Sequence, residues 1–475
     1  VAVAAVIGAL ITYATLTLGF APNTSIVATL LGFGATAVMR VRGRSALVAI
    51  QAAGVAAGQT AFMAIALAAI GVLRERGALE VNLRPGSLVV FAWLTCAGVL
   101  GVFVALPLRR YYIEQEDLPF AAGLAAAEAI VALEPTPTGA SGSATWRRAG
   151  ASLVAAAVAT FARIPLSPLA VGSGMLIGAR TATSIGAGAA LAVLLPTKEA
   201  ITIAVALLVA GGVTRTALRA SSLTRGWRAV RPPWLVLAGG VVGLVAIDRL
   251  ALATPIGATL VAIMLAAPLV LVGTRVLGET NWAPVVALAA VSQLVLAVVV
   301  PGHTAVNVIA SAVAAAIVNA AQHTMQSFRV AACAGTPPRD VAVAHLVGVA
   351  VGAAMLALAF PLLVARSGSG VLASPLSVAW ANIAVAVTHR VDAIHVAPAA
   401  LAAAIGVVLA LAESRWHRVP SPMALGIGAL MPWRFALAVA LGGAIELTSK
   451  SRNRVSVAAG LVAGEAIAGT LATIV

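Results

Sequence analysis

The sequence predicts an all-α fold, a polytopic transmembrane helical bundle of about 14–16 spans with re-entrant or broken helices among them. Three observations predict it. Of 475 residues, 61% are hydrophobic and only 9% charged, with a mean hydropathy of +1.05. A soluble domain needs about 25% charged residues to cover its surface, so lipid covers most of this one. Second, runs long enough for a helix to cross the hydrocarbon core recur along the chain: 250–274, 341–365, 367–389 and 393–412 contain no Asp, Glu, Lys or Arg. Third, the charges that remain gather between such runs.

Taken in order, the apolar runs place first-half spans at 1–20, 24–39, 45–73, 86–106, 119–133, 146–164, 199–214 and 234–250. The second half adds 254–274, 281–301, 304–322, 341–364, 372–388, 395–412, 421–447 and 455–475. Val1 to Phe20 reads as a span rather than a signal peptide, since no small-residue cleavage pattern closes it. The region near 166–197 is glycine-rich, bounded by Pro168 and Pro196, and holds Arg180 between two short apolar halves. A re-entrant hairpin fits it, because broken backbone at membrane depth survives only where protein or water satisfies its polar groups. Ser421 to Glu446, interrupted by Met431-Pro432-Trp433-Arg434, reads as a second broken element.

The chain divides into an N-terminal transmembrane half, 1–232, and a C-terminal half, 233–475, expected to be a structural repeat. Gln51-Ala-Ala-Gly-Val55 lies beside Gln326-Ser-Phe-Arg-Val330 as a weak echo. Whether the halves run parallel or inverted depends on an odd or even span count.

The net charge of +15 is almost all arginine, with Lys198 and Lys450 the only lysines. Nucleic acid is not the expected partner, because the arginines sit in short inter-span loops as the positive-inside rule requires. Arg215, Arg219, Arg225, Arg228 and Arg231 mark a cytoplasmic loop, with Lys450, Arg452 and Arg454 on the same side. Scarce lysine beside abundant arginine and alanine points to a GC-rich genome and a bacterial inner (plasma) membrane. Cys96 and Cys333 form no metal spacing and read as packing residues.

Ionisable and amide groups inside apolar runs are expensive and mark candidate sites. Glu128 follows Leu118-Pro119-Phe120 and Gly123 in a short helix opened by proline; it reads either as a functional carboxylate or as a helix-end residue reaching the interface. Glu465 sits mid-span behind Gly460 and Gly464, whose spacing lets a neighbouring helix approach; it is a coupling candidate or an arginine partner. His323, Gln326 and Arg329 recur at three-residue steps and so share one helix face; His323 is a proton-relay candidate or a satisfied core residue. No metal-ligand spacing and no Gly-x-x-x-x-Gly-Lys phosphate loop occurs, so no cofactor, metal or bound ATP is expected.

Four blocks then resemble the oligopeptide transporter family, which includes the yellow stripe-like metal-chelate transporters. Arg109-Arg110 with Glu114, Glu116, Leu118-Pro119-Phe120, Gly123 and Ala127-Glu128 is similar to its basic pair, acidic stretch and Leu-Pro-Phe-Pro-Ser-Gly-x-x-x-Ala-Glu run, with Ala121 and Ala122 replacing the second proline and the serine. Gln322-His323-Thr-Met325-Gln326-Ser327-Phe-Arg329, then Gly335-Thr-Pro337-Pro-Arg339, resembles Asp-Met-x-Gln-Asp-x-Lys-x-Gly and Gly-Ala-x-Pro-Arg. Here His323, Ser327 and Arg329 stand for two aspartates and a lysine. Gly460-Leu-Val-Ala-Gly464-Glu465-Ala matches the C-terminal block closely, and Asn281 with Pro284 resembles the Gly-x-x-Asn-Pro segment.

The resemblance implies a secondary active transporter coupling protons to the uptake of oligopeptides or small peptide-like metal chelates. In that reading Glu128, His323 or Glu465 carries the proton, while Gln51, Gln326 and Asn281 donate hydrogen bonds in a cavity. Its partners are the lipid bilayer, the substrate and protons, with a homodimer as the candidate assembly. The competing classes are a passive channel and a membrane enzyme acting on lipid-linked substrates; the latter needs clustered acids, which the spans lack.

Overall fold

The computed structural model describes residues 1–18, 24–39, 43–132, 141–219, 234–366, 374–389, 396–416, 418–448 and 454–472. Arg225, Arg228, Arg231, Lys450 and Arg452 of the expected cytoplasmic segments lie outside the described residues. Twenty α-helices make up the described chain, with no strand among them. The first half contains α1 (Ala2–Leu18), α2 (Thr24–Met39), α3 (Arg44–Phe62), α4 (Ala64–Glu75), α5 (Ser87–Arg109), α6 (Ala121–Ala132), α7 (Ser141–Phe161), α8 (Pro168–Ile177), α9 (Ala179–Val193) and α10 (Thr197–Ala217). After α11 (Trp234–Ala251) come α12 (Ile256–Thr280), α13 (Val285–Val299), α14 (Thr304–Ala334), α15 (Pro338–Arg366) and α16 (Pro375–His389). The chain closes with α17 (Val396–Arg415), α18 (Pro422–Leu430), α19 (Trp433–Thr448) and α20 (Arg454–Ala472).

Eight helical stretches among the described residues are long and apolar enough to cross a membrane, and shorter apolar helices lie beside them. Their ends follow local chemistry. Asn281 and Gly335 terminate α12 and α14 in the left-handed region, at φ 63 and φ 69, which Asn and Gly adopt at least cost. Ser167 caps α8 by accepting from Ala170 N at 3.1 Å, ahead of Pro168 in the first turn; Ser421 and Pro422 open α18 in the same order.

Helix α14 is the axis of the bundle. It packs against α3, α5, α6, α12, α13 and α16 and is buried along almost its whole length. The expected span 304–322 was too short, because the helix continues unbroken through His323–Arg329 to Ala334. A polar stripe buried against neighbours does not end a helix, and the first left-handed glycine does. A second body of helices, α7–α10 with α17–α20, has its own apolar cluster around Val171, Ile185 and Val439. Helix α6 touches both bodies.

The expected hairpin near 166–197 resolves into α8 and α9, joined by Gly178 alone at φ 87. At 10 and 15 residues, their rise is about 15 and 22 Å, short of a full crossing. Ser421–Glu446 breaks likewise, at Met431-Pro432, into α18 and α19. Helix α19 packs on both α8 and α9, and α18 on α9.

Candidate functional site

The site assembles where the chain stops being helical in front of α6. Helix α5 runs into one π-turn, Arg110–Gln115, and the backbone then crosses Asp117 at φ 47 and Phe120 at φ 40. Non-glycine residues enter this left-handed region at a cost, so something must hold the loop. Gly278 O accepts from Phe120 N at 3.0 Å, and Asn281 Oδ1 accepts from Ala122 N at 2.8 Å. A Cβ at position 278 would lie 2.8 Å from Leu118 and 3.0 Å from Phe120. Glycine there is what lets the buried Phe120 ring reach the end of α12.

Helix α6 then lies directly on the polar stripe of α14. A Cβ on Gly123 would stand 2.7 Å from Gln326 O and 3.4 Å from Arg329 Cβ, so the two helices meet backbone to backbone. Gln326 Oε1 and His323 Nδ1 are 3.1 Å apart, both side chains buried. Arg329 Nη1 reaches Asp117 Oδ1 at 2.6 Å across the loop. Pro119, Phe120, Gly123, Asn281, His323, Gln326 and Arg329 therefore form one continuous cluster drawn from three distant segments.

The other sequence-predicted residues lie elsewhere. Gln51 is fully buried between α3 and α2, donating from Nε2 to Ser25 Oγ at 2.8 Å and leaving Oε1 without a partner. Both Glu465 oxygens accept from Ser167 Oγ, at 2.9 and 2.8 Å, and Oε2 accepts from Leu169 N at 2.7 Å. This carboxylate caps the N-terminus of α8, where the exposed amides favour an anion. Gly464 lets α20 approach the carbonyl of Leu153 on α7. Glu128 is exposed on α6. A small cluster of Ile26, Ala125, Ala459 and Val462 ties α2, α6 and α20 together, and α3 also touches α6, so Gln51 and Glu465 stand on helices adjoining α6. The cavity of about 440 Å³ between α4, α5 and α15 is lined by none of these candidates.

Several polar groups were not singled out from sequence. Arg275, fully buried, donates to Tyr111 Oη at 2.7 Å and Glu279 Oε1 at 3.1 Å, and pairs with Glu116 at 3.3 Å. Arg219 joins the same Glu116 at 2.9 Å. This network braces the π-turn that feeds the Phe120 loop. Arg275 was read only as the end of an uncharged run; its position within the last turns of a 25-residue helix was the available signal. Gln59, Asn319 and Gln322 are buried amides along α3 and α14, and Gln322 has no partner for either amide atom. Gly273 makes the room that Gln322 occupies. Arg180, expected at the centre of a break, donates to Glu413 at 2.5 Å and to Val419 O.

The comparison that decides the family is a match over most of the chain. The OPT oligopeptide transporter protein family model fits residues 1–162 and 220–475. The chain belongs to this family. It is accordingly a multi-pass membrane transporter of the OPT class, whose members carry peptides and metal chelates, and not an enzyme class. No curated protein matches the chain. Residues 163–219, outside the OPT match, contain α8, α9 and α10. The C-terminal OPT block meets this unmatched segment through Glu465 and the start of α8.

Proposed function

We propose that this OPT transporter is a secondary active symporter that moves oligopeptides or small peptide-like metal chelates with protons across a bacterial inner membrane. The observation that carries the reading is the meeting of a strained, interrupted segment with buried neutral amides at the start of α6. Interrupted helices near the midplane are where transporters bind substrate. Amide groups such as Gln326 and Asn281 offer both donors and acceptors to a zwitterionic backbone, and Phe120 supplies an apolar wall. His323, Glu465 and Glu128 are the proton carriers in this scheme.

Alternating access needs two bodies that rock against each other, and each of the two packed bodies draws helices from both halves, 1–232 and 233–475, as duplicated units would. Ser167-Pro168-x-Ala170-x-Gly172-x-Gly174-x-Leu176 recurs, at one constant offset, as Ser421-Pro422-x-Ala424-x-Gly426-x-Gly428-x-Leu430. The contacts recur with it. Gly174 faces the carbonyl of Val439 and Gly428 that of Ile185, while Gly172 faces Ala458 O and Gly426 faces Ala204 O. Each partner keeps the same offset as the glycines.

Uptake of radiolabelled di- to hexapeptides into proteoliposomes, with and without an imposed pH gradient, tests the reading. Accumulation above the external concentration only with the gradient is the expected result. Equilibration indifferent to the gradient makes the chain a channel, and recovery of chemically altered peptide makes it an enzyme.

A further inference from the structure

Asp248 is an ionisable group that the scheme above does not use. It lies in α11, its side chain fully buried, where α11 packs against α5 and α12. Oδ2 accepts from Thr259 Oγ1 at 2.7 Å, and Oδ1 has no hydrogen-bond partner. The buried indole of Trp93 on α5 is beside it, its Nε1–H approaching the carboxylate without closing a hydrogen bond of normal geometry. Among the described residues no cation pairs with the carboxylate. The charged residue of α5 is Arg109, at the far end of that helix; those of α12 are Arg275 and Glu279, engaged with Glu116 and each other at its opposite end; the adjacent Arg249 is exposed. A buried carboxylate with neither a cation nor a full set of donors is rare and marks a functional position. The carboxylate can take a proton there only as the Trp93 N–H gives way.

Trp93 also borders a small void next to a half-open cleft. The half-open cavity of about 440 Å³ between α4, α5 and α15 shares Leu67, Ile70, Pro85 and Val90 with a narrower void that reaches Trp93 and Leu252. Asp248 itself lines neither space. We propose that Asp248 is a proton-carrying residue of the transport cycle, taking a proton onto Oδ1 from water in this cleft and returning it when Trp93 moves aside. The role in transport rests on the proton-coupled reading; the protonation itself does not.

Infrared difference spectra of the full chain in lipid, recorded between acidic and alkaline buffer, test the protonation directly. A protonated-carboxyl band that titrates in the wild type should vanish in Asp248→Asn. That variant keeps the Thr259 contact and should melt with the wild type. In Thr259→Val the band should shift in frequency, which gives a second reading should Asp248→Asn fold poorly. An unchanged band in both variants overturns the proposal. Asp248→Asn should also lose gradient-driven peptide accumulation yet retain peptide exchange at equal pH, whereas full accumulation removes the residue from coupling. If the wild type itself ignores the gradient, the symport reading and the carrier role fall together, and the infrared band still decides whether Asp248 binds a proton.

Discussion

Gln326 is the residue on which the site turns, since its carbonyl meets Gly123 and its amide meets His323. Removing one hydrogen-bonding amide from a binding site costs on the order of 1 kcal/mol, so Gln326→Leu should weaken peptide uptake about five-fold. Uptake kinetics check this, and an unchanged rate removes the amide from the site. A different residue sets a pH dependence. Glu80, in the α4–α5 connection, accepts from Thr304 N at 2.7 Å and Ala305 N at 3.0 Å at the head of α14. Partial burial pushes its carboxyl up, but the bonds from Ala305 and Thr304 outweigh it and hold the group below its ordinary 4.5. A depressed folded value means stabilisation that is present above 4.5 and is lost as pH falls through the lower folded value. Glu80→Gln should therefore melt earlier than wild type at neutral pH, by less than about 1 kcal/mol for so exposed a cap. The two curves should merge in acid. His323, Gln326 and Arg329 were legible as one face from their spacing; that Asp117 and Asn281 would close on that face was not, because a left-handed Phe120 has no marker in sequence.

At the scale of elements, apolar runs located most helices within a few residues; α2 matches its expected 24–39 span at both ends. Proline, glycine and charge punctuate such runs, so the ends are written locally. Partners between helices are not. Gly460 and Gly464 indicated a close neighbour, and α7 provides it, yet the carboxylate between them and the bundle meets α8, hundreds of positions earlier. Glu465→Gln should loosen this cap by about 1–3 kcal/mol, as a charged acceptor is replaced by a weaker one. Faster amide exchange at Leu169 and Ala170 checks it, and unaltered protection there contradicts it. The Ser-Pro-x-Ala-x-Gly-x-Gly pair was present in the sequence but was passed over for the Gln51 and Gln326 echo, whose offset differs from that of the glycine contacts. Overpacking costs about 1–3 kcal/mol, so Gly174→Val and Gly428→Val should destabilise comparably if the two halves are equivalent. Paired melting curves test that equivalence.

Across the whole molecule, the charges separate by end. Arg219, Arg275 and Arg329, with their partners Glu116, Glu279 and Asp117, lie near the C-terminal end of α10, whereas Glu80 and His389 meet Thr304 at the head of α14. By the positive-inside rule the first end is the one expected to face the cytoplasm. Exposed Cys333 near it should react with an impermeant maleimide in inside-out vesicles and not in right-side-out ones. In the proposed scheme, substrate binds where the Phe120 loop meets α14. Thermal stabilisation by a panel of di- to hexapeptides and metal chelates, measured on wild type and Gln326→Leu side by side, tests that claim most directly. A ligand that raises the melting temperature of the wild type, and fails to raise that of a variant with the same unliganded melting point, is the predicted result; equal stabilisation of both places the substrate elsewhere.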